Sequence, residues 1–570
     1  MRTFQQHLSS KLSATLGSLG LPVTGEVSIA TDARFGDYQT NAALILAKQR
    51  KENPRDVANQ IIEAWSDDDL TEKPSVAGAG FVNFRLLPEA VARQANALRQ
   101  DDRLGVEKTE TPHRVVIDFG SPNVAKPMHV GHIRSTVLGD ALARIATFLG
   151  HDVIRDNHIG DWGTQFGMVI YGWKNFLDRE ALARDPIAEL VRIYKEANER
   201  SAADPAVREA CRHELVRLQA GDPENLSIWQ QSVDLSLKEF ERTYEVLGIH
   251  YDIQRGESFY NDRLAGVVER LLKSGIAEIS EGAAVVFFRD IPELADKPCI
   301  VRKKDGGFNY ATSDIATVDY RVNDLKRDTV WYVVGAPQTL HFKEIFEIAR
   351  REGYTADFRH IPFGSILGKD RKLMKTRSGE NVPMSELLGE ARTRARQVID
   401  EKATDLSAEE KDEIAGIIGI GAIKYADLSQ YRMTDYVFAW DKMLSFQGNT
   451  APYLQNAYVR IRSIFRKAAA EGIEKTNADI VLAEPAEIAL AKKVAQFPEI
   501  IPQVLNDFRP NILANYLFEL ANAFHAFYES CQILKSEEPA RSSRLALAEL
   551  TARVLSKGLE LLGIKVPEKM

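Results

Sequence analysis

The sequence predicts an α/β protein: a doubly wound parallel sheet that carries the chemistry, with an α+β domain before it and an all-α domain after it. Three observations lead there. A compact apolar run at 114–119 gives way to a Gly-Ser-Pro-Asn loop and then to helical periodicity. Further strand-like runs start at Val153 and occupy 330–334 and 360–367. From about residue 383 onward the periodicity is almost wholly helical.

Taken in order, the first ~110 residues read as a separate domain. Helical patterns near 4–19 and 41–63 flank Gly- and Asp-rich loops, and the alternation at 80–86 predicts a half-buried strand. The polar stretch 99–113 reads as a linker. Residues 111–382 then form the α/β domain. After Gly131 the apolar residues Ile133, Val137, Leu138, Leu142, Ile145 and Leu149 recur at helical spacing and stop at Gly150. Strand, loop, helix and strand in that order begin a Rossmann-like unit. Charged helices, notably at 186–219, interrupt it, so 175–290 reads as an insertion. Residues 383–440 read as a helical connecting segment and 441–570 as a helical domain.

Composition bounds the function. A chain of 570 residues exceeds one hydrophobic core, and 44% hydrophobic with 27% charged residues is ordinary for a globular protein. No apolar run approaches the ~18–20 residues that span a bilayer, and the N-terminus lacks the apolar block of a signal peptide. Cys211, Cys299 and Cys531 are far apart with no CxxC pairing, which predicts a reducing, cytoplasmic setting and no zinc knuckle. A net charge of −8 excludes a protein that coats nucleic acid through sheer charge, while a local basic face stays open.

The segment Ser121-Pro-Asn-Val-Ala-Lys-Pro-Met-His-Val-Gly-His132 carries the chemistry. Two histidines flank a glycine where strand gives way to helix. Helix N-termini offer unpaired N–H groups to phosphates, glycine permits close approach, and imidazoles can donate to oxygens that gain charge. On the substrate side, Tyr310 and Asp314 are four residues apart, one helical turn, and so share a face. Gln338 follows the run 330–334, and Asp118 ends the first run, both at the strand edge where such sheets bind ligands. A carboxylate there is the best partner for a guanidinium. The helical C-terminal part interleaves aromatics with arginines at Tyr453, Tyr458, Arg460 and Arg462, a pattern suited to unstacked RNA bases but equally that of a helix with a packed face and a solvated basic one. The later aromatics Phe518, Phe524, Phe527 and Tyr528 read as core.

The segment 121–132, extended through Arg134-Ser-Thr136, resembles the HIGH signature of class I aminoacyl-tRNA synthetases, and specifically of the arginyl members. Supporting stretches are Gly36-Asp-Tyr-Gln-Thr-Asn-Ala, Asn157-His-Ile-Gly-Asp-Trp-Gly-Thr-Gln165, Gly256-Glu-Ser-Phe-Tyr260, Tyr310-Ala-Thr-Ser-Asp314 and Gln447-Gly-Asn-Thr-Ala-Pro-Tyr453. The resemblance implies a HIGH-type catalytic domain that joins L-arginine to tRNA(Arg) through an arginyl-adenylate. It implies ATP with Mg²⁺ as substrate complex, with no protein-ligated metal. It puts His129, Gly131 and His132 at the phosphates with Lys126, and Asp118, Asn123, Tyr310, Asp314 and Gln338 around arginine. The second class I signature is degenerate here, as Lys372-Leu-Met-Lys-Thr-Arg-Ser-Gly379, which leaves open which of Lys372, Lys375 and Arg377 reaches ATP. The resemblance further implies a monomer, an N-terminal domain at the tRNA elbow and anticodon binding by 441–570. Competing readings are another class I synthetase, a nucleotidyltransferase without tRNA, and a silent RNA-binding paralogue. The acidic pocket, the long helical C-terminal part and the intact histidines weigh against them in turn.

Overall fold

A computed structural model describes residues 2–21, 25–375, 381–402, 406–473 and 478–570. The chain forms two compact units: Thr109–Leu444 with Leu561–Ile564, and Met1–Lys108 with Ser445–Glu560 and Lys565–Met570.

The first unit is built on five parallel strands: β1 (Arg114–Asp118), β2 (Asp152–Ile159), β3 (Ile253–Gly256), β4 (Thr329–Tyr332) and β5 (Asp357–His360), in the order β5-β4-β1-β2-β3. Four of the five residues of β1 are buried, and all four of β4, as expected of strands covered on both faces. Helix α1 (Val130–Phe148) links β1 to β2 and is buried nearly all round, which explains its weakly amphipathic sequence. The strand order reverses between β1 and β4, so the crevice beyond their C-terminal ends is the expected ligand site.

Between β2 and β3 runs a helical excursion in which Asp185-Pro186, Asp204-Pro205 and Asp222-Pro223 each start a new helix. The aspartate caps the free N–H groups and the proline occupies a first position that needs no donor. The stretch read as one insertion, 175–290, thus contains a strand of the sheet itself, β3, which is too short to register against the helices around it. A small antiparallel sheet follows (Glu278–Ser280, Ala283–Val286, Cys299–Arg302), then helix α2 (Tyr310–Asp319), which a π-helical turn, Tyr320–Asp324, continues. Helix α3 (Thr339–Arg351) joins β4 to β5, and helix α4 (Ala408–Leu428) packs on α1.

Two sequence expectations are corrected. The strand expected over 360–367 is two pieces, because Pro362 lacks a ladder donor: β5 ends at His360, and Ile366–Leu367 pairs with Tyr436–Val437 in a separate two-stranded sheet. The helix expected over 41–63 is Ala42–Arg50 and Pro54–Ala64, broken at Lys51, which sits at φ 57°.

In the second unit, a four-stranded antiparallel sheet (Ser28–Ile29, Tyr38–Thr40, Phe81–Phe84, Ser75–Ala77) is joined to the helices Ala451–Ala470, Pro485–Ala495, Phe497–Asn506 and Pro510–Ser530. Buried Glu499 accepts from the Gln5 N–H and the Tyr38 hydroxyl, both at 2.9 Å, and Lys492 pairs with Asp37 at 2.7 Å.

Candidate active site

The switch point is stitched by one side chain. Ser135, on the second turn of α1, accepts from the Gly120 N–H at 2.9 Å and donates to the Val333 carbonyl at 2.6 Å. It thereby ties the chain leaving β1 to the chain leaving β4. Gly120 has φ 91°, and a Cβ there would lie 2.4 Å from the Tyr251 hydroxyl, so no other residue fits this exit.

His129 is the N-cap of α1. Its Nδ1 accepts from the Gly131 N–H at 3.1 Å, and Nδ1 of His132 accepts from the His129 N–H at 3.1 Å, a capping box made of imidazoles. Both rings therefore carry their proton on Nε2, free to donate. Burial, then the charge of Lys126, holds His129 below its ordinary pKa; burial, then His129, holds His132 down at about 3. His132 is neutral at any working pH and His129 is held toward its neutral form, while the backbone and exposed Lys126, whose Nζ lies 5.7 Å from the Tyr194 ring, bring positive charge to this helix end. A Cβ on Gly131 would come within 2.9 Å of the His129 ring.

The chain just past the degenerate second signature returns to the same helix end. The Val130 N–H donates to Val382 O at 2.9 Å and the Met384 N–H to Met128 O at 2.8 Å. Lys372 and Lys375 are exposed on this loop, and Arg377 lies outside the described residues.

On the other side of the crevice, α2 presents Tyr310 and Asp314 on one face. Tyr310 is 59% exposed, and its ring lies 4.8 Å from that of His341. His341 Nε2 is 2.5 Å from Asp314 Oδ2, while Oδ1 takes no hydrogen bond among the described residues. Gln338, exposed, ends the short 3-10 turn after β4. Asn123 is bridged to Gly160, the first residue beyond β2.

Asp118 has a different partner from the one expected. It is 5% exposed and bonded through Oδ2 to Arg321 at 2.6 Å and through Oδ1 to the Ser121 hydroxyl at 3.1 Å. Arg321 also binds Asp156 at 2.7 Å. Against the burial that works to strip its proton, these two carboxylates hold the Arg321 guanidinium well above its ordinary range.

Sequence reasoning gave no role to several groups that the fold brings here. Glu257, just beyond β3, has its carboxyl pushed up to about 7, first by burial and then by the charges of Asp314 and Asp161. Asp161 itself accepts from the Ser258 N–H at 2.8 Å and the Ser258 hydroxyl at 2.6 Å. Both acids lie in motifs already noted, and His341 closes the stretch 335–341 that holds Gln338, so those stretches were the available signal; for Arg321 there was none. A third carboxylate beside Asp314 makes this corner a strongly anionic, partly buried pocket, matched to a planar cation.

In the second unit the four expected RNA contacts divide between two faces. Tyr453 and Arg460 meet the helix Pro510–Ser530: the Tyr453 hydroxyl donates to Asn522 at 2.6 Å, and the Arg460 guanidinium lies 5.3 Å over the Tyr528 ring. Tyr528 is 39% exposed, which corrects its assignment to the core, while Phe524 and Phe527 are fully buried. Tyr458 and Arg462 lie under the last residues of the chain, where both bind Glu568, at 3.0 and 3.1 Å. Among the described residues no group of three or more His, Cys, Asp or Glu could hold a metal ion, and no helix is long and apolar enough to cross a membrane.

Comparison with known proteins agrees with this geometry. Family models match in order along the chain: the arginyl tRNA synthetase N terminal domain at residues 2–86, the class I (R) tRNA synthetase catalytic domain at 93–440 and the DALR anticodon binding domain at 454–570. The chain is 46% identical to an arginine–tRNA ligase of Chromobacterium violaceum, with all of both chains covered. Its structure is similar to the arginyl-tRNA synthetases of Plasmodium falciparum (TM-score 0.86, 28% identity) and Thermus thermophilus (TM-score 0.84, 26% identity), again over all of both chains. The chain belongs to the arginyl-tRNA synthetases, class I enzymes of translation.

Proposed function

We propose that the two sides of this crevice divide the family's reaction, the charging of tRNA(Arg) with arginine, between a neutral phosphate-holding edge and an anionic guanidinium pocket. The observation that supports it is the placement of the His129–His132 capping box and the Tyr310–Asp314–His341 cluster about the C-terminal ends of one parallel sheet.

The guanidinium of L-arginine is bound by Asp314 Oδ1, with Glu257 behind it and Tyr310 across its plane, while Gln338 and Asn123 orient the α-amino end. Asp118 acts from beneath, through Arg321 and Ser121, rather than as a direct ligand. The arginine carboxylate attacks the α-phosphorus of ATP, the bond to the bridging oxygen breaks, and pyrophosphate leaves. His129 and His132 donate Nε2–H to the phosphate oxygens as charge builds, Gly131 lets the nucleotide approach the helix end, and Lys126, Lys372, Lys375 and Arg377 supply cationic charge. The 2′-hydroxyl of the tRNA's terminal ribose then attacks the adenylate carbonyl, and AMP departs with the electron pair. No protein nucleophile is required; the groups position and stabilise. Mg²⁺ enters with ATP, held by phosphates and water. Tyr453, Arg460 and Tyr528 receive unstacked anticodon bases, and Tyr458 and Arg462, on the helix's other face, contact the tRNA there. The reading includes a monomer in the cytoplasm, and domains at 1–110, 111–382, 383–440 and 441–570.

The test is ATP–pyrophosphate exchange with each amino acid offered singly, with and without tRNA. Arginine alone should support exchange. Exchange with a different amino acid would overturn the pocket assignment, and none with any amino acid from folded protein would overturn the reading as a whole.

A further inference from the structure

Tyr332, Asp118 and Asp156 stand side by side in one register across the adjacent strands β4, β1 and β2. Two carboxylates facing each other on neighbouring strands repel, and here both are nearly completely buried. Burial raises the Asp156 carboxyl above its ordinary pKa, and the other charge of the row is balanced from above by Arg321, which has no exposed surface. Its Nη2 donates to Asp118 at 2.6 Å and to Asp156 at 2.7 Å, its Nε donates to Asp156 at 3.0 Å, and its guanidinium carbon lies 5.1 Å from the Tyr332 ring. Arg321 occupies the π-helical turn that continues α2, so one side chain locks the helix carrying Tyr310 and Asp314 onto the ends of three strands. The same Asp118 also holds the Ser121 hydroxyl, at the start of the loop that leads to Asn123 and His129.

We propose that Arg321 is a positioning residue that registers the amino-acid pocket on α2 against the sheet edge and the signature loop. This rests on the reading above, in which α2 binds the amino acid. Arg321 touches neither substrate; it acts through Asp118, Asp156 and the helix it anchors. Loosening it lets Tyr310 and Asp314 drift while leaving the capping box at α1, which Ser135 and the backbone hold independently, in place. The two substrates should therefore respond differently.

The experiment compares wild type, Arg321→Met, Arg321→Lys and Asp156→Asn by ATP–pyrophosphate exchange in the presence of tRNA, with thermal unfolding measured alongside. Arg321→Met should raise the KM for arginine on the order of tenfold or more with the KM for ATP nearly unchanged, and Arg321→Lys, which keeps the charge, should recover part of the loss. Arginine and ATP constants that rise together, or that both stay at wild-type values, would overturn the proposal. Should Arg321→Met fail to fold, Asp156→Asn, which weakens the same tether from the sheet side, must show the split or the proposal falls. Absence of arginine-dependent exchange in the wild type would instead count against the underlying pocket reading.

Discussion

Two places in the catalytic unit group carboxylates with an aromatic ring, one around the chain's own arginine and one, on the reading proposed above, for a guanidinium that the substrate supplies. In the interior, Asp118 and Asp156 with the ring of Tyr332 enclose Arg321, which has no exposed surface. At the sheet edge, Asp314 and Glu257 with the ring of Tyr310 form a similar set, but Tyr310 is 59% exposed and Asp314 keeps an oxygen free. The chemistry is shared; water access is not. The filled site gives two buried carboxylates a permanent guanidinium partner and contributes to the fold. The open site leaves carboxylates crowded against one another, and that crowding is relieved only when a cation arrives. Breaking each should separate stability from activity.

At the open site the effect is expected on activity. Asp314→Asn removes the charge that faces the substrate while keeping the side chain's shape and a bond to His341. Charge-assisted hydrogen bonds in partly buried geometry contribute roughly 1.5–3 kcal/mol, so kcat/KM for arginine should fall by about one to two orders of magnitude. The melting temperature should barely move. A variant with normal kcat/KM would remove Asp314 from the pocket.

The interior behaves oppositely, as a second buried arginine shows. Arg134, on α1, pairs with Asp427 of α4 at 3.0 Å and donates to Thr434 O at 2.9 Å, with the rings of Tyr436 and Phe363 about it. Arg134→Met leaves Asp427 buried and unpaired, a loss on the order of 3–5 kcal/mol that thermal unfolding will read directly. The double variant with Asp427→Leu should recover most of it, since an apolar pair of similar volume needs no charge balance. Failure of the double variant to recover would show that packing, not charge, dominates there.

A smaller, pH-dependent effect sharpens the contrast. Burial, then Asp314 and Asp161, pushes the Glu257 carboxyl up to about 7. A guanidinium favours the ionised form, so arginine binding below that pH must expel a proton. The sign follows: arginine affinity is weak where Glu257 is protonated, strengthens as pH rises through about 7, and levels off above it. The KM for arginine should fall between pH 6 and pH 8 by a few-fold, with the KM for ATP much less affected, and Glu257→Gln should flatten the profile. His132 cannot mimic this, because it is held at about 3 and stays neutral across that range. A slope that survives in Glu257→Gln would assign the titration elsewhere.

How much of this was legible in the sequence depended on range. The β1–loop–α1 unit and its histidines lie within a few dozen consecutive residues, and local periodicity with a glycine-flanked motif places them. Tyr310 and Asp314 share a helical turn, so spacing alone puts them on one face. Arg321 is different: its partners Asp118 and Asp156 are 203 and 165 residues away in the chain. Only the strand order brings the three together, and with Arg321 unseen, Asp118 read as an open substrate ligand. Glu257 was obscured for a related reason, since β3 is four residues long and its place in the sheet cannot be told from the excursion around it. Pattern finds groups that are neighbours in sequence; it does not find charges that balance across strands.

The same limit explains the RNA-binding side. Helical spacing put Tyr453, Tyr458, Arg460 and Arg462 on one helix, but the fold turns them to two faces. Tyr458 and Arg462 are engaged by Glu568, whereas Arg460 lies over the partly exposed Tyr528. If bases stack on the second face, Tyr528→Ala should weaken tRNA binding by about 1–3 kcal/mol, and Tyr458→Phe, which removes only a hydroxyl already bonded to Glu568, should weaken it less. The measurement is the dissociation constant for total tRNA(Arg) at fixed salt, together with the KM for arginine in each variant. Because the stacking face belongs to the other unit, arginine recognition should be untouched when tRNA is saturating. Equal losses from Tyr528→Ala and Tyr458→Phe would place the RNA on the face that Glu568 now covers and would require the chain's last residues to move aside.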